Sequence, residues 1–297
     1  MEEKIVSNGQ PGSVSNGQPS FEGLSQYRPP LCYELAGREF TLCMDSGYDY
    51  RVKFLDGQKL VWGLLDGQEK EDAYECLKGD ETTYFVNVEV EGAKPRTGLS
   101  LVLDLTNDLA TCLIARQGEN PKVPYLISNE VVFGAILRAD GTLNSKRHGY
   151  TRDMVGSAVE WVYSPDFRII HVYCSERYYR VAMPKPTEMS QRNLDDNAAM
   201  LEAFQGYPDA TEPALYIKIK DGMYFFSFIE EHLERLTRET TRGNNLAFLM
   251  NFERMYDVGR SFGINSRQLP ENYLFGAYGR FVELPPETFN YQSPYFV

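Results

Sequence analysis

The 297 residues contain three histidines, His148, His171 and His232, and one of them lies where it could do chemistry. In the stretch 167–174, period-two alternation puts Phe167, Ile169, His171 and Tyr173 on one face. If that face turns inward, an imidazole and a phenol enter an aromatic interior. There His171 could act as a general acid/base or donate a hydrogen bond to a substrate carbonyl, with Tyr173 as a second donor. The alternative is a wall histidine satisfied by its own hydrogen bonds. In the stretch 224–230, Tyr224, Phe226, Phe228 and Glu230 share a face, so a carboxylate ends an aromatic stripe. Burial there would raise its pKa and make it a usable acid or base. If the strand stops short, Glu230 sits in water beside Glu231. Arg180 follows Tyr178 and Tyr179; it could pair with Glu230, hold an anionic substrate, or lie on the surface.

Two further stripes complete the candidate lining. Trp161 and Tyr163 share a face opposite Glu160, which is then outside and solvated. In the first half, Tyr50, Trp62 and Tyr84 are expected inside, among Val52, Phe54 and further valines, where ionisable groups are few and a packed core is the default. The expected site is therefore His171, Tyr173 and Glu230 for catalysis. Trp161, Tyr163, Arg180, Tyr224, Phe226 and Phe228, with Tyr50 and Trp62 in the first half, would bind substrate.

Several chemistries are excluded. No glycine-rich phosphate loop, HExxH or GxSxG motif occurs. The five cysteines, at 32, 43, 76, 112 and 174, are scattered with no CxxC pair, which fits neither a zinc site nor a disulfide framework. No metal and no cofactor is expected, and reduced thiols suggest a cytoplasmic protein. The chain starts Met-Glu-Glu-Lys, without the apolar core of a signal peptide. Lys+Arg is 30 against Asp+Glu 42, a net charge of −12, which argues against nucleic acid and against docking on an anionic membrane. A homodimer is left open.

The elements that must position these residues read as short antiparallel strands. Tyr50, Val52 and Phe54 alternate with Arg51 and Lys53; Asp56-Gly57 and Asp66-Gly67 are turns. Tyr84, Val86 and Val88 make another inward face. Leu99, Leu101, Leu103 and Leu105 make a third, with Ser100 and Asp104 outside. The pattern then returns: residues 84–88 (YFVNV) are echoed by 224–228 (YFFSF), 99–105 (LSLVLDL) by 246–252 (LAFLMNF), and 35–37 (LAG) by 154–156 (MVG). A repeat this long indicates two copies of one domain. The spacing of the echoes widens along the chain, which places an insertion near 182–213. Within it Asn193 can cap a helix over 193–205 with Leu194, Ala198, Leu201 and Phe204 on one stripe, a plug or a lid. The fold class is thus all-β: two tandem antiparallel barrels, over 31–140 and 150–285, with a helix-bearing insert at 184–213 in the second. A low-complexity tail occupies 1–30, where SNGQP is repeated, and a second tail occupies 286–297.

The segments 35–40 (LAGREF), 54–62 (FLDGQKLVW), 84–86 (YFV) and 100–105 (SLVLDL) resemble the N-terminal domain of the MoaF family. Ser164-Pro165, residues 171–173 (HVY), residues 221–224 (DGMY), and Arg254-Met255 with Gly259 and Gly263 resemble its C-terminal domain. The likeness spans roughly 31–282 and implies lipocalin-like (calycin) barrels in tandem, but no particular chemistry. In that C-terminal domain an acidic residue would precede the histidine of the second strand; Ile170 stands there. By barrel type the family is similar to phenolic acid decarboxylases and to lipocalin-like cyclases, a likeness of fold alone. An eight-stranded barrel is just wide enough for one small ligand. The expectation is a cofactor-independent isomerase, cyclase or lyase acting on a small hydrophobic aromatic, polyketide or terpenoid metabolite. Its rival is a non-catalytic lipocalin-like carrier of the same ligands.

Overall fold

A computed structural model describes residues 26–119, 126–165, 167–182, 211–230, 241–265 and 269–290. Strands β1 (Glu39–Met44), β2 (Asp49–Phe54), β3 (Lys59–Leu64), β4 (Glu69–Lys78), β5 (Thr83–Glu89), β6 (Arg96–Asp104), β7 (Leu109–Gln117) and β8 (Ile127–Ile136) form an antiparallel meander. It closes into a barrel where Leu42 of β1 pairs with Ile136 of β8. After a short strand β9 (Gly149–Tyr150) the plan repeats with β10 (Ser157–Ser164), β11 (Phe167–Tyr173), β12 (Tyr178–Ala182), β13 (Thr211–Lys220), β14 (Met223–Ile229), β15 (Thr241–Asn251), β16 (Tyr256–Asn265) and β17 (Pro270–Phe281). Pairing of β10 with β17 and of β12 with β13 closes this second barrel, and β9 lies along β13.

The two meanders match strand for strand. The echoed segments 84–88 and 224–228 fall in the fifth strand of each barrel, and 99–105 and 246–252 run along the sixth. Gly37 and Gly156, just before the first strand of each, both have positive φ, 76° and 91°, a backbone state that glycine enters without steric penalty.

Alternation sorts the side chains. Phe54, Tyr74, Tyr84, Val86, Leu101 and Leu103 fill the first barrel; Trp161, Tyr173, Phe226, Phe248 and Phe275 are among those filling the second. The outer faces are not uniformly wet. Leu77, Phe85, Val102 and Leu113 of the first barrel pack against Ile217, Phe225, Leu249 and Val258 of the second. The barrels therefore stand wall to wall. Ser100 and Asp104 do lie on the outer face of β6, yet both are 0% exposed: the neighbouring barrel covers that face, and Asp104 also meets Asn107 at 2.6 Å and His148, from the connection between the barrels, at 3.6 Å. Arg96 of β6 reaches across the seam and donates to the carbonyls of Gly263 and Glu271, at 2.8 and 2.9 Å.

The boundaries differ from expectation at three places. Tyr27 is already docked: its backbone N–H donates to the Tyr163 carbonyl at 3.0 Å, and its ring packs on Tyr278. Residues 211–213 begin β13, because Arg180 and Tyr179 offer them a strand partner. A 3-10 turn at Pro286–Phe289 follows β17, held by Arg180 as described below. The helix expected at 193–205 lies outside the described residues. Among the described residues no helix is long and apolar enough to cross a membrane.

Candidate functional site

The second barrel gathers most of the singled-out residues on its inner wall. Val159 pairs with His171 and Trp161 with Ile169, so the β10 and β11 stripes share a face. Phe226 pairs with both Tyr216 and Phe248, which carries the same face across β13, β14 and β15. His171 is 2% exposed, and the rings of Tyr179, Phe248 and Phe226 lie 5.2, 5.5 and 5.7 Å away, with Phe228 and Tyr173 just beyond. Its Nδ1 is buried with no hydrogen-bond partner. Burial disfavours the imidazolium and drops the His171 pKa to about 3. The ring is therefore neutral at neutral pH, suited to hydrogen bonding a substrate and poorly suited to abstracting a proton.

Tyr173 is engaged. Its hydroxyl accepts from Trp161 Nε1 at 3.2 Å and donates toward Met250 Sδ at 3.3 Å, and burial raises its pKa. Tyr163 donates to Asp257 Oδ2 at 3.4 Å, and the Ala277 N–H donates to Asp257 Oδ1 at 2.8 Å. Asp257 is fully buried, and desolvation pushes its carboxyl well above the ordinary range. It faces the same interior, and its burial favours the neutral form. The sequence reading passed over it because its inner-face neighbours in β16, Gly259, Ser261 and Gly263, are small and give no aromatic stripe. Pairing of Asp257 with Met250 and Ala277, both interior, is the signal that places it.

Glu230 follows β14 directly, its N–H donating to the Asn244 carbonyl at 3.0 Å, and it is 8% exposed. Glu212 and Glu271, also missed, are 1% and 0% exposed. Glu212 pairs with Tyr179 in β12–β13; Glu271 accepts from Asn244 Nδ2 at 2.9 Å and Ser261 Oγ at 3.1 Å. The three carboxylates gather at one end of the barrel. Burial raises the Tyr179 and Tyr273 phenols, and the Glu230 charge adds to it at both, with Glu212 at Tyr179 and Glu271 at Tyr273. Glu212 alternates with Ala214 and Tyr216, a signal hidden by reading 184–213 as an insert.

The remaining residues divide. Phe226 and Phe228 are inside. Tyr224 sits at the opposite end from the carboxylates, its hydroxyl 3.4 Å from Asp153 Oδ2. Arg180 is on the outer face, between the inward Tyr179 and Val181, and donates to the carbonyls of Thr288 at 2.6 Å and Asn290 at 2.9 Å. It holds the chain after β17 and does not enter the barrel with Glu230. Glu160 is also outside, but it is 2% exposed, not solvated, because Arg280 and Arg168 fold over it. Tyr50 and Trp62 belong to the other barrel, half-buried, with ring centroids 6.3 Å apart and Trp62 Nε1 donating to Asp72 Oδ2 at 2.7 Å. Among the described residues no group of three His, Cys, Asp or Glu side chains is placed to hold a metal ion.

The Asp257 environment carries a test. A carboxyl whose folded pKa is raised supports stability below its unfolded pKa, near 4, and loses that support as pH rises toward the folded value. Asp257→Asn is therefore expected to gain stability over the wild type at pH 7–8 and little at pH 4, measured by chemical denaturation. A loss at pH 8 equal to that at pH 4 would mean that Asp257 is ionised in the fold.

Comparison with known proteins identifies part of the chain. No curated protein matches it. Eleven chains of solved structures do; one, described as a "putative beta-lactamase" from Burkholderia vietnamiensis, is 15% identical and covers 37% of this chain and 95% of its own, with a TM-score of 0.28. That score is too low to indicate a shared fold. Residues 21–119 match the model of the MoaF N-terminal domain. Strands β1 to β7 fall inside that segment. Most of the first barrel is thus similar to the MoaF N-terminal domain.

Proposed function

We propose that the second barrel holds a small hydrophobic molecule, of phenolic, polyketide or terpenoid type, and converts it without a cofactor as an isomerase, cyclase or lyase. The observation that carries this reading is the buried His171, neutral, with an unpartnered Nδ1 among aromatic rings. A protein interior rarely leaves such a nitrogen unmade unless it serves a function. His171 would hydrogen-bond a substrate carbonyl or hydroxyl, and the aromatic wall would hold the substrate in a reactive conformer. Proton transfer would fall to Asp257, whose burial favours the neutral acid, or to the buried Glu230. Five free thiols fit a reducing, cytoplasmic setting.

A carrier of the same ligands is the second reading. It is favoured by one observation: the Tyr173 hydroxyl and Trp161 N–H already satisfy each other, which leaves few groups free for chemistry. The two readings separate on a panel of phenolic, polyketide and terpenoid compounds, scored first by calorimetric binding and then by product analysis. For an enzyme, Glu230→Gln or His171→Gln should bind the best compound within a few-fold of wild type and lose about 10²-fold in turnover. Binding without product in the wild type supports the carrier; variants unchanged in both measurements would remove His171 and Glu230 from either role.

A further inference from the structure

The seam between the barrels contains a buried cation that no carboxylate balances among the described residues. Arg260, on the outer face of β16, is 0% exposed, and its Nε, Nη1 and Nη2 have no hydrogen-bond partner. Its guanidinium stacks on Phe262, with Cζ 4.9 Å from the ring centroid, and packs against Gly98 of the first barrel, where a larger residue would collide with it. Arg96 stacks on the same ring at 4.2 Å, but it is fully paired: Glu89 takes it at two points, 2.7 and 3.0 Å, and Gln117 Oε1 with the Gly263 and Glu271 carbonyls takes the rest. Glu89, the acid whose charge reaches Arg260, is thus committed to Arg96. Burial lowers Arg260 only to about 9, so it keeps its charge at neutral pH.

The walls around it are also unsatisfied. Ser100 stands two residues beyond Gly98 on the same buried face of β6, and Asn87 is its direct cross-strand partner. Ser100 Oγ and both polar atoms of the Asn87 side chain have no hydrogen-bond partner. Asn272, paired with Phe262 across β16 and β17, is likewise 0% exposed with its amide unpartnered. Burying a polar group without a partner costs a few kcal/mol, and a charge costs more. A buried cation with unpartnered hydroxyl and amide groups on the adjoining strand positions offers the donor set of an anion site.

We propose that the inter-barrel seam binds one compact anion, a halide, small carboxylate or inorganic oxyanion, at Arg260, with Ser100, Asn87 and Asn272 as supporting donors. Water would satisfy the hydrogen bonds but would leave the charge uncompensated; an anion does both. Because the site is made of both barrels, its occupation couples them.

The test is thermal unfolding of the full chain at constant ionic strength, exchanging sodium gluconate, too bulky for the seam, for sodium chloride, acetate or phosphate. Above its dissociation constant each tenfold of a bound anion should raise Tm by about 3 °C. Arg260→Met, which keeps the stacking stem and removes the charge, should abolish that dependence. The anion that acts at the lowest concentration identifies the occupant class. An equal rise in both proteins would be a general salt effect, and no rise over gluconate in the wild type would mean that the seam holds water only; either overturns the proposal. Should the variant fail to fold, calorimetric titration of the wild type with phosphate and chloride decides directly, one saturable site per chain being expected and none overturning it.

Discussion

His171→Phe is expected to make the protein more resistant to acid than the wild type. His171 titrates at about 3 in the fold, depressed by burial, whereas an unfolded histidine titrates near 6.5. Between these values the unfolded chain binds a proton that the folded chain refuses, so wild-type stability falls as pH falls through that window. The slope approaches about 1.4 kcal/mol per pH unit and sums to roughly 5 kcal/mol by pH 3. That is comparable to the whole stability of many domains. Phenylalanine has no such proton to bind, is of similar size, and completes the cage of Tyr179, Phe226, Phe228 and Phe248. At neutral pH it also removes a buried nitrogen without a partner, so no loss of stability is expected there. Urea denaturation of both proteins from pH 8 to pH 4 gives the difference curve. Other titrating groups, including Asp104 and Asp80, cancel in that difference. A flat curve would show that His171 is protonated or hydrogen-bonded in the fold, and the proposed role in substrate binding would fall with it.

The second large effect is expected on the outer wall. Phe225 is 0% exposed although it points away from its own barrel, because it packs against Phe85 of the other, with ring centroids 6.3 Å apart. Phe225→Ala should cost about 3–5 kcal/mol, the usual range for a buried phenylalanine. The interior of neither barrel is touched, so the loss should appear as uncoupling: hydrogen exchange should accelerate along β5, β6, β14 and β15 before it does at Phe54 or Trp161. A cost under 1 kcal/mol, or exchange that rises uniformly, would show that the two walls are not the cooperative joint described here.

The meander was legible because each strand carries its own period-two pattern and because the second half repeats the first. The inner stripes of β11 and β14 could be read for the same reason. What the pattern could not supply was the partner of each outer face. Asn87, Ser100 and Asp104 look like solvent-facing residues until a second barrel is placed over them. A trace of this was present in β14, where Phe225 and Met223 make the outer face as apolar as the inner, the mark of a strand buried on both sides. Arg180 was misplaced because its neighbours Tyr178 and Tyr179 are both aromatic, and alternation cannot say which of two tyrosines turns inward. Asp257 and Glu271 escaped because their strands mix glycine, serine and asparagine with the aromatics. Their burial is created by strand pairing, of Asp257 with β15 and β17 and of Glu271 with β16, a long-range fact invisible in a local window.

The closure of the second barrel has a consequence for how the chain tolerates change. Arg180 of β12 pairs with Thr211 of β13, so β12 ends at Ala182 beside the start of β13. Two ends pinned side by side make the length of what lies between almost immaterial: each doubling of a flexible connection adds only about 0.6 kcal/mol of closure entropy. The β12–β13 junction is accordingly a place where added length should cost little in closure entropy.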